Sequence, residues 1–177
     1  MLFAPTYSAE RPYRRFARAG LDRYRYELPL DLGDARRALA PAATLLVRAH
    51  PKAVDAVPEA DGVDVVDVTR WPDPVELVLA ADVVVTDRST LLVDAALAGR
   101  PTVLWLAAGH PPAGQPGYPD LSVFPVTTEA AQTLQAAREL LSAGLTDEAA
   151  LRKFAATWCP LADGQAAARA VDALLAQ

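Results

Sequence analysis

Short apolar runs rich in β-branched residues recur along the chain, and segments with helical spacing separate them. Such alternation indicates a parallel sheet whose strands are connected by helices. Several runs are apolar at consecutive positions, including three valines at 83–85, which is typical of strands covered by helices on both faces. The sequence therefore predicts an α/β fold with a doubly wound, Rossmann-like sheet. The predicted strands are residues 2–4, 44–48, 63–68, 82–86 and 102–106.

Five segments between and after these strands have helical patterns. The second segment ends before Gly99, with Pro101 just beyond, which is a common way for a helix to stop. Thr127 or Thr128, and then Thr146, are predicted to cap two of the later helices. Residues 110–124 hold too many prolines and glycines for a regular element, so a long loop is expected there. The predicted helices are residues 74–80, 89–98, 128–142, 147–157 and 164–176.

The size of the chain fits one globular domain over residues 1–177, since 52% of its residues are apolar and 22% are charged. The single cysteine, Cys159, excludes an internal disulfide, and one cysteine with two histidines lacks the spacing of a zinc site. We therefore expect neither a metal nor a cofactor. Because no apolar run nears the roughly 20 residues that cross a bilayer, any membrane association is expected to be peripheral.

The charge is distributed unevenly along the chain. The formal net charge is −5, yet six arginines lie within the first 25 residues. Such a cluster indicates a patch that faces an anion, although a solvated helix face is the simpler alternative. The rest of the chain is acidic and has no recognised nucleic-acid motif, so nucleic acid is not expected as a partner. The six residues are Arg11, Arg14, Arg15, Arg18, Arg23 and Arg25.

The polar residues after the strand at 82–86 carry the most specific functional signal. Ser89 and Thr90 stand where a buried strand meets a helix, and free backbone N–H groups at such a junction can hold a phosphate. Ordinary capping would also select Asp87 or Ser89, so both interpretations stay open. Asp94 follows one turn later, where its carboxylate could accept hydrogen bonds from a ribose or simply be solvated.

At this junction the sequence Thr-Asp-Arg-Ser-Thr of residues 86–90 resembles the "TD-x-S-S/T" turn of the CDP-glycerol glycerophosphotransferases, the family of teichoic-acid polymerases and primases. Other segments resemble the family's remaining motifs and follow in the same order. These are Ala4-Pro5-Thr6, the "R-x-H-P" motif at Arg48-Ala49-His50-Pro51, the acid-rich stretch at 67–79, and the "DG…R" motif at Asp163, Gly164 and Arg169.

The resemblance implies a GT-B architecture in which this chain is the donor-binding half and a separate domain binds the acceptor and supplies the general base. It implies CDP-glycerol or a related nucleotide as donor and a polyol-phosphate or lipid-linked acceptor. It also implies a cytoplasmic location, peripheral on the membrane face, with an anionic membrane surface as a further partner. The residues carried over are His50 for catalysis beside the donor phosphates, Ser89, Thr90 and Thr6 for phosphate binding, and Asp94, Pro5 and Asp87 for the nucleotide and its ribose.

The chain also departs from the family pattern, and these departures keep other functions open. Tyr7 and Ser8 stand where the family has Trp-Arg, Arg88 replaces a residue that is usually aromatic, and residues 107–110 lack the usual aspartate. One alternative is half of a glycosyltransferase or epimerase that binds a UDP-sugar. The other is a non-catalytic nucleotide-binding module.

Overall fold

A computed structural model describes residues 1–5, 30–50, 61–66, 70–106, 121–144 and 147–176 of the chain. In the described residues, six strands are interspersed with three helices, and three further helices follow the last strand. In chain order the elements are β1 (Leu2–Phe3), α1 (Leu32–Leu39), β2 (Leu45–Val47), β3 (Val63–Val65), α2 (Pro74–Ala80), β4 (Val84–Thr86), α3 (Leu91–Leu97), β5 (Thr102–Trp105), β6 (Val126–Thr127), α4 (Ala130–Ala143), α5 (Glu148–Trp158) and α6 (Ala166–Leu175).

All pairs of neighbouring strands in the sheet are parallel, and their spatial order is β3-β2-β1-β4-β5-β6. The chain builds outward from β1 in one direction and then returns to build outward from β4 in the other. The point at which the order reverses therefore lies between these two central strands. This is the doubly wound, Rossmann-like topology that the sequence predicted.

Helices cover the sheet on both faces. Helices α1 and α4 pack against one face, whereas α2, α3 and α5 supply the apolar residues of the other. The three valines before and within β4 divide between the faces: Val83 and Val85 belong to the first core, and Val84 belongs to the second. Burial on both sides explains why this run is apolar at every position.

Each of the five predicted strands is present, but β6 and α1 were not predicted. The prediction that Thr127 or Thr128 caps α4 is wrong. Thr127 belongs to β6, and its hydroxyl pairs with that of Thr133 at 2.7 Å. The N-cap residue of α4 is Glu129, whose side chain makes no capping hydrogen bond.

Aspartates cap three of the helices instead. Asp31 accepts a hydrogen bond from a first-turn backbone N–H of α1, Asp73 does so in α2, and Asp147 does so in α5. The cap predicted for α5 was Thr146, which lies outside the described residues, and the observed N-cap is the next residue. Helix α3 stops as predicted, because Gly99 follows its C-cap with a φ of 64°, a conformation that glycine adopts most easily.

Within the described residues, no helix has both the length and the apolar character needed to cross a bilayer.

A side-chain hydrogen bond joins the two central strands where they end. Thr86 is fully buried, and its hydroxyl donates to the carbonyl oxygen of Ala4 at 2.8 Å. The backbone N–H of Ala4 donates in turn to the carbonyl of Val85 at 2.9 Å. These contacts fix the carboxyl ends of β1 and β4 against each other.

We expect the Thr86→Val substitution to lower the free energy of unfolding by about 1–3 kcal/mol, because it leaves the buried Ala4 carbonyl without its donor while preserving side-chain shape. Urea denaturation measures the change. The matched control is Thr44→Val, at an exposed threonine just before β2, which should alter stability by less than about 0.5 kcal/mol. Equal effects of the two substitutions would contradict this role of Thr86.

Candidate functional site

The residues that follow β2, β1 and β4 lie side by side, because these strands are neighbours in the sheet. The backbone N–H of Arg48, just beyond β2, donates to the carbonyl of Phe3 in β1 at 2.9 Å. On the other side of β1, Ala4 is bonded to the end of β4 through Val85 and Thr86. Three sequence motifs that are far apart in the chain therefore meet at one edge of the sheet. This edge is the crevice at the reversal of strand order, where open α/β sheets commonly bind ligands.

Ser89 and Thr90 form the turn that leads from β4 into α3. The Ser89 hydroxyl oxygen accepts a hydrogen bond from the backbone N–H of Leu91 at 3.2 Å, so Ser89 supports the start of the helix. Thr90 is the N-cap residue, is exposed, and makes no side-chain capping bond. The structure thus gives Ser89 a local capping role and leaves Thr90 exposed.

Two of the predicted binding residues are buried. Asp87 is only 3% exposed, and Pro5, at the end of β1, is also buried. Both residues therefore lie beneath the protein surface, just beyond the ends of β4 and β1. His50 is half-buried and lies two residues beyond the hydrogen bond from Arg48 to β1.

Asp94 lies in the first turn of α3 and is half-buried. Its burial raises the pKa of the carboxyl above the usual value, and the negative charge of Asp73 raises the pKa further. Asp73 is the N-cap of α2, where it accepts a hydrogen bond from the N–H of Val75 at 2.9 Å. The two helix starts therefore bring two carboxylates near each other at the same edge of the sheet.

Arg48 has a role that the sequence analysis did not identify, although the residue belongs to a quoted motif. It is 5% exposed, and its guanidinium donates hydrogen bonds to the carbonyl oxygens of Trp71 and Pro72, the latter at 3.3 Å. These bonds attach the connection between β3 and α2 to the end of β2. The available signal in the sequence was its position two residues before His50. A buried guanidinium must satisfy its N–H groups with nearby acceptors, which here are the two carbonyl oxygens.

The closing "DG…R" motif forms a joint at the start of α6. The Asp163 carboxylate accepts hydrogen bonds from the backbone N–H of Gln165 at 3.0 Å and from Arg169 at 2.7 and 2.9 Å. Arg169 also donates to the carbonyl of Leu161 at 2.9 Å. The hydrogen bond from Arg169, followed by that from Gln165, holds the pKa of Asp163 below its usual value. This motif therefore orients a helix.

Several predicted features fall outside the described residues. They are Thr6, the arginine cluster between residues 11 and 25, and most of the long loop at 110–124. Among the residues that are described, no three histidine, cysteine, aspartate or glutamate side chains lie together in a way that could hold a metal ion.

Comparison with known proteins gives the chain a family. The family model described as CDP-Glycerol:Poly(glycerophosphate) glycerophosphotransferase matches residues 1–176. None of the curated proteins matches the chain.

Solved structures of the wall teichoic acid polymerase TagF have a similar fold. A histidine-to-asparagine variant matches with a TM-score of 0.65 and 22% identity over 97% of this chain and 42% of that one. A histidine-to-alanine variant matches with a TM-score of 0.68 and 20% identity over 97% of this chain and 41% of that one. A third structure, soaked for 30 minutes with CDPG, matches with a TM-score of 0.66 and 21% identity over 97% of this chain and 40% of that one. The chain thus spans about two fifths of the length of these structures.

The contact between the starts of α2 and α3 can be tested through the titration of Asp94. We expect Asp73→Asn to lower the pKa of Asp94 part of the way towards its usual value, because the substitution removes the repelling charge but not the burial. Asparagine is also a good N-cap, so α2 should remain intact. Carbon-detected NMR titration of the Asp94 carboxyl measures the shift.

The same shift has a consequence for stability. An aspartate whose pKa is raised in the folded state opposes folding as the pH rises through that pKa, because the unfolded chain releases its proton first. Asp94→Asn should therefore remove a loss of stability that the wild type shows on going from acidic to neutral pH. An unchanged Asp94 pKa in Asp73→Asn would show that the two carboxylates do not interact.

Proposed function

The chain belongs to the CDP-glycerol:poly(glycerophosphate) glycerophosphotransferase family, and on this premise we propose that it is the donor-binding half of such a transferase. The observation that supports this proposal most is the convergence of the family-like motifs after β1, β2 and β4 on one crevice. The donor proposed is CDP-glycerol or a related nucleotide. The fold it shares with TagF structures, including one soaked with CDPG, is consistent with that donor.

In the proposed complex, the donor phosphates lie against the turn at Ser89 and Thr90, with Thr6 adding a further hydroxyl. Ser89 can serve both as cap and as ligand, because its oxygen accepts from Leu91 while its own hydrogen remains available to donate. Asp94, one turn along α3, accepts hydrogen bonds from the ribose. Pro5 and Asp87 support the nucleotide from below, since both are buried just beyond the ends of β1 and β4.

The proposed reaction is the transfer of a glycerol phosphate unit. A hydroxyl oxygen of the acceptor forms a bond to the β-phosphorus of the donor, and the bond from that phosphorus to the cytidine monophosphate oxygen breaks. The acceptor proton passes to a general base that the acceptor-binding half supplies. His50 and the crevice hydroxyls stabilise the negative charge that develops on the leaving phosphate.

The acceptor and the cellular site follow from the same proposal. A polyol phosphate or a lipid-linked acceptor would be presented at the cytoplasmic face of the membrane, to which the enzyme binds peripherally. The six arginines between residues 11 and 25 supply positive charge for an anionic polymer or an anionic membrane surface.

We expect the 177-residue chain to bind CDP and CMP without converting CDP-glycerol to product, because the donor contacts are proposed to lie on this chain and the general base is not. Isothermal titration calorimetry measures binding, and release of CMP measures turnover. UDP and a UDP-sugar serve as controls. Tighter binding of the UDP-sugar would instead favour the glycosyltransferase or epimerase function, and rapid turnover would contradict the half-enzyme proposal.

Thr90 offers a test of the phosphate site that is independent of helix capping. Thr90→Val keeps the side-chain shape, and the hydroxyl that it removes makes no capping bond. We expect the substitution to weaken CDP binding about ten- to a hundredfold, the effect of losing a hydrogen bond to a charged group. The melting temperature should stay unchanged.

Two variants complete this test. Ser89→Ala should lower both CDP affinity and stability, the latter by about 1 kcal/mol, because Ser89 also supports the start of α3. Asp94→Asn should weaken binding of CDP more than binding of 2′-deoxy-CDP, since only the ribonucleotide has the 2′-hydroxyl that donates to the carboxylate. Unchanged affinity in all three variants would show that Ser89, Thr90 and Asp94 do not belong to the donor site.

A further inference from the structure

A large aromatic side chain is partly exposed at the same edge of the sheet as the proposed donor site. Trp71 lies between β3 and α2 and is 37% exposed. The exposed leucines of the neighbouring helices, Leu79 and Leu97, lie in the last turns of α2 and α3. Because these helices run antiparallel to the strands, those leucines are at the opposite edge. In the described part of this region, Trp71 is therefore the large exposed apolar side chain near the crevice.

The backbone that carries Trp71 is held on both sides. The buried guanidinium of Arg48 donates to the carbonyl oxygens of Trp71 and Pro72, and the next residue, Asp73, caps α2. Pro72 and Pro74 restrict the backbone further through their fixed φ angles. A side chain mounted on such a rigid connection loses little freedom when a ligand binds, which favours affinity.

The order of the polar residues places Trp71 at one end of the proposed nucleotide path. Thr90 is the N-cap of α3, Asp94 follows one turn later, and the charge of Asp73 is close enough to raise the pKa of Asp94. Trp71 precedes Asp73 by two residues, which puts their Cα atoms within about 7.6 Å of each other. Trp71 therefore lies beside the ribose end of the proposed nucleotide path, which is the end that carries the base.

We propose that Trp71 is the platform on which the base of the nucleotide donor stacks, and this inference rests on the proposed donor site. The flat face of an indole stacks on any base, because every base has a π-face. Trp71 thus supplies affinity for the base without distinguishing cytosine from uracil. It also explains why so large an apolar side chain is left partly in water at this edge.

The fluorescence of Trp71 tests the contact directly. The chain has two other tryptophans: Trp105 is buried in the core, and Trp158 is partly exposed at the end of α5. In a Trp158→Phe background, CMP and UMP should both quench the emission of Trp71. Ribose 5-phosphate, which has no base, and glycerol phosphate should not. Adding Trp71→Phe to the same background should abolish the quenching.

Affinity provides the second measurement. Trp71→Ala should weaken CMP binding about 5- to 150-fold, the range expected for losing one stacked base, with Trp71→Phe losing less because a smaller ring remains. Binding of ribose 5-phosphate should be unchanged in both variants. A merely structural role of Trp71 would instead lower the melting temperature and weaken both ligands alike.

The outcomes distinguish failure of this inference from failure of the proposed donor site. If CMP binds the wild type but neither quenches Trp71 nor depends on it, the platform is refuted and the donor site stands. If glycerol phosphate quenches Trp71 and CMP does not, the residue faces the acceptor and the inference is wrong. If the wild type binds no CMP at all by calorimetry, the donor site is overturned and the platform with it. Should Trp71→Ala fail to fold, the quenching series and Trp71→Phe decide the question.

Discussion

The pairing of β1 with β4 is the contact on which the rest of the architecture depends. Chain segments on either side of these two strands wind outward in opposite directions, so their connections separate and leave a crevice at the carboxyl edge. The hydrogen bond from the Thr86 hydroxyl to the Ala4 carbonyl, at 2.8 Å, fixes the two strand ends in register at that point. Every described residue of the proposed site is positioned relative to this joint.

The crevice also contains an electrostatic conflict. The first turn of α3 brings Asp94 near Asp73, the cap of α2, and burial together with this charge raises the pKa of Asp94. Such an arrangement opposes folding at neutral pH, first through the burial of the Asp94 carboxylate and then through the charge of Asp73. Binding sites often retain groups whose placement lowers the stability of the fold, because a bound ligand can supply a favourable partner for those groups. A ribose hydroxyl that donates to Asp94 would relieve part of that conflict.

Much of the fold could be predicted from the sequence because burial on both faces of a sheet leaves a pattern that does not depend on context. This pattern indicates the strands containing Leu2, Leu45 and Val84, and Gly99 correctly indicates where α3 stops. Strand β6 escapes such a prediction because its first residue, Val126, is exposed and its second, Thr127, is polar, so no apolar run marks it. Thr127 looks like a helix cap in the sequence, because only the tertiary structure brings its hydroxyl to that of Thr133.

The sequence by itself determined the class of fold, the resemblance to a transferase family and the polar residues that end strands β1, β2 and β4, because runs and motifs are local in the chain. Only the tertiary structure decided which of those residues meet. It buried Asp87 and left Thr90 exposed, and it gave Arg48 a role in holding the backbone of Trp71. The physical reason is that strand order and helix packing, which bring distant residues together, depend on contacts that no single segment encodes.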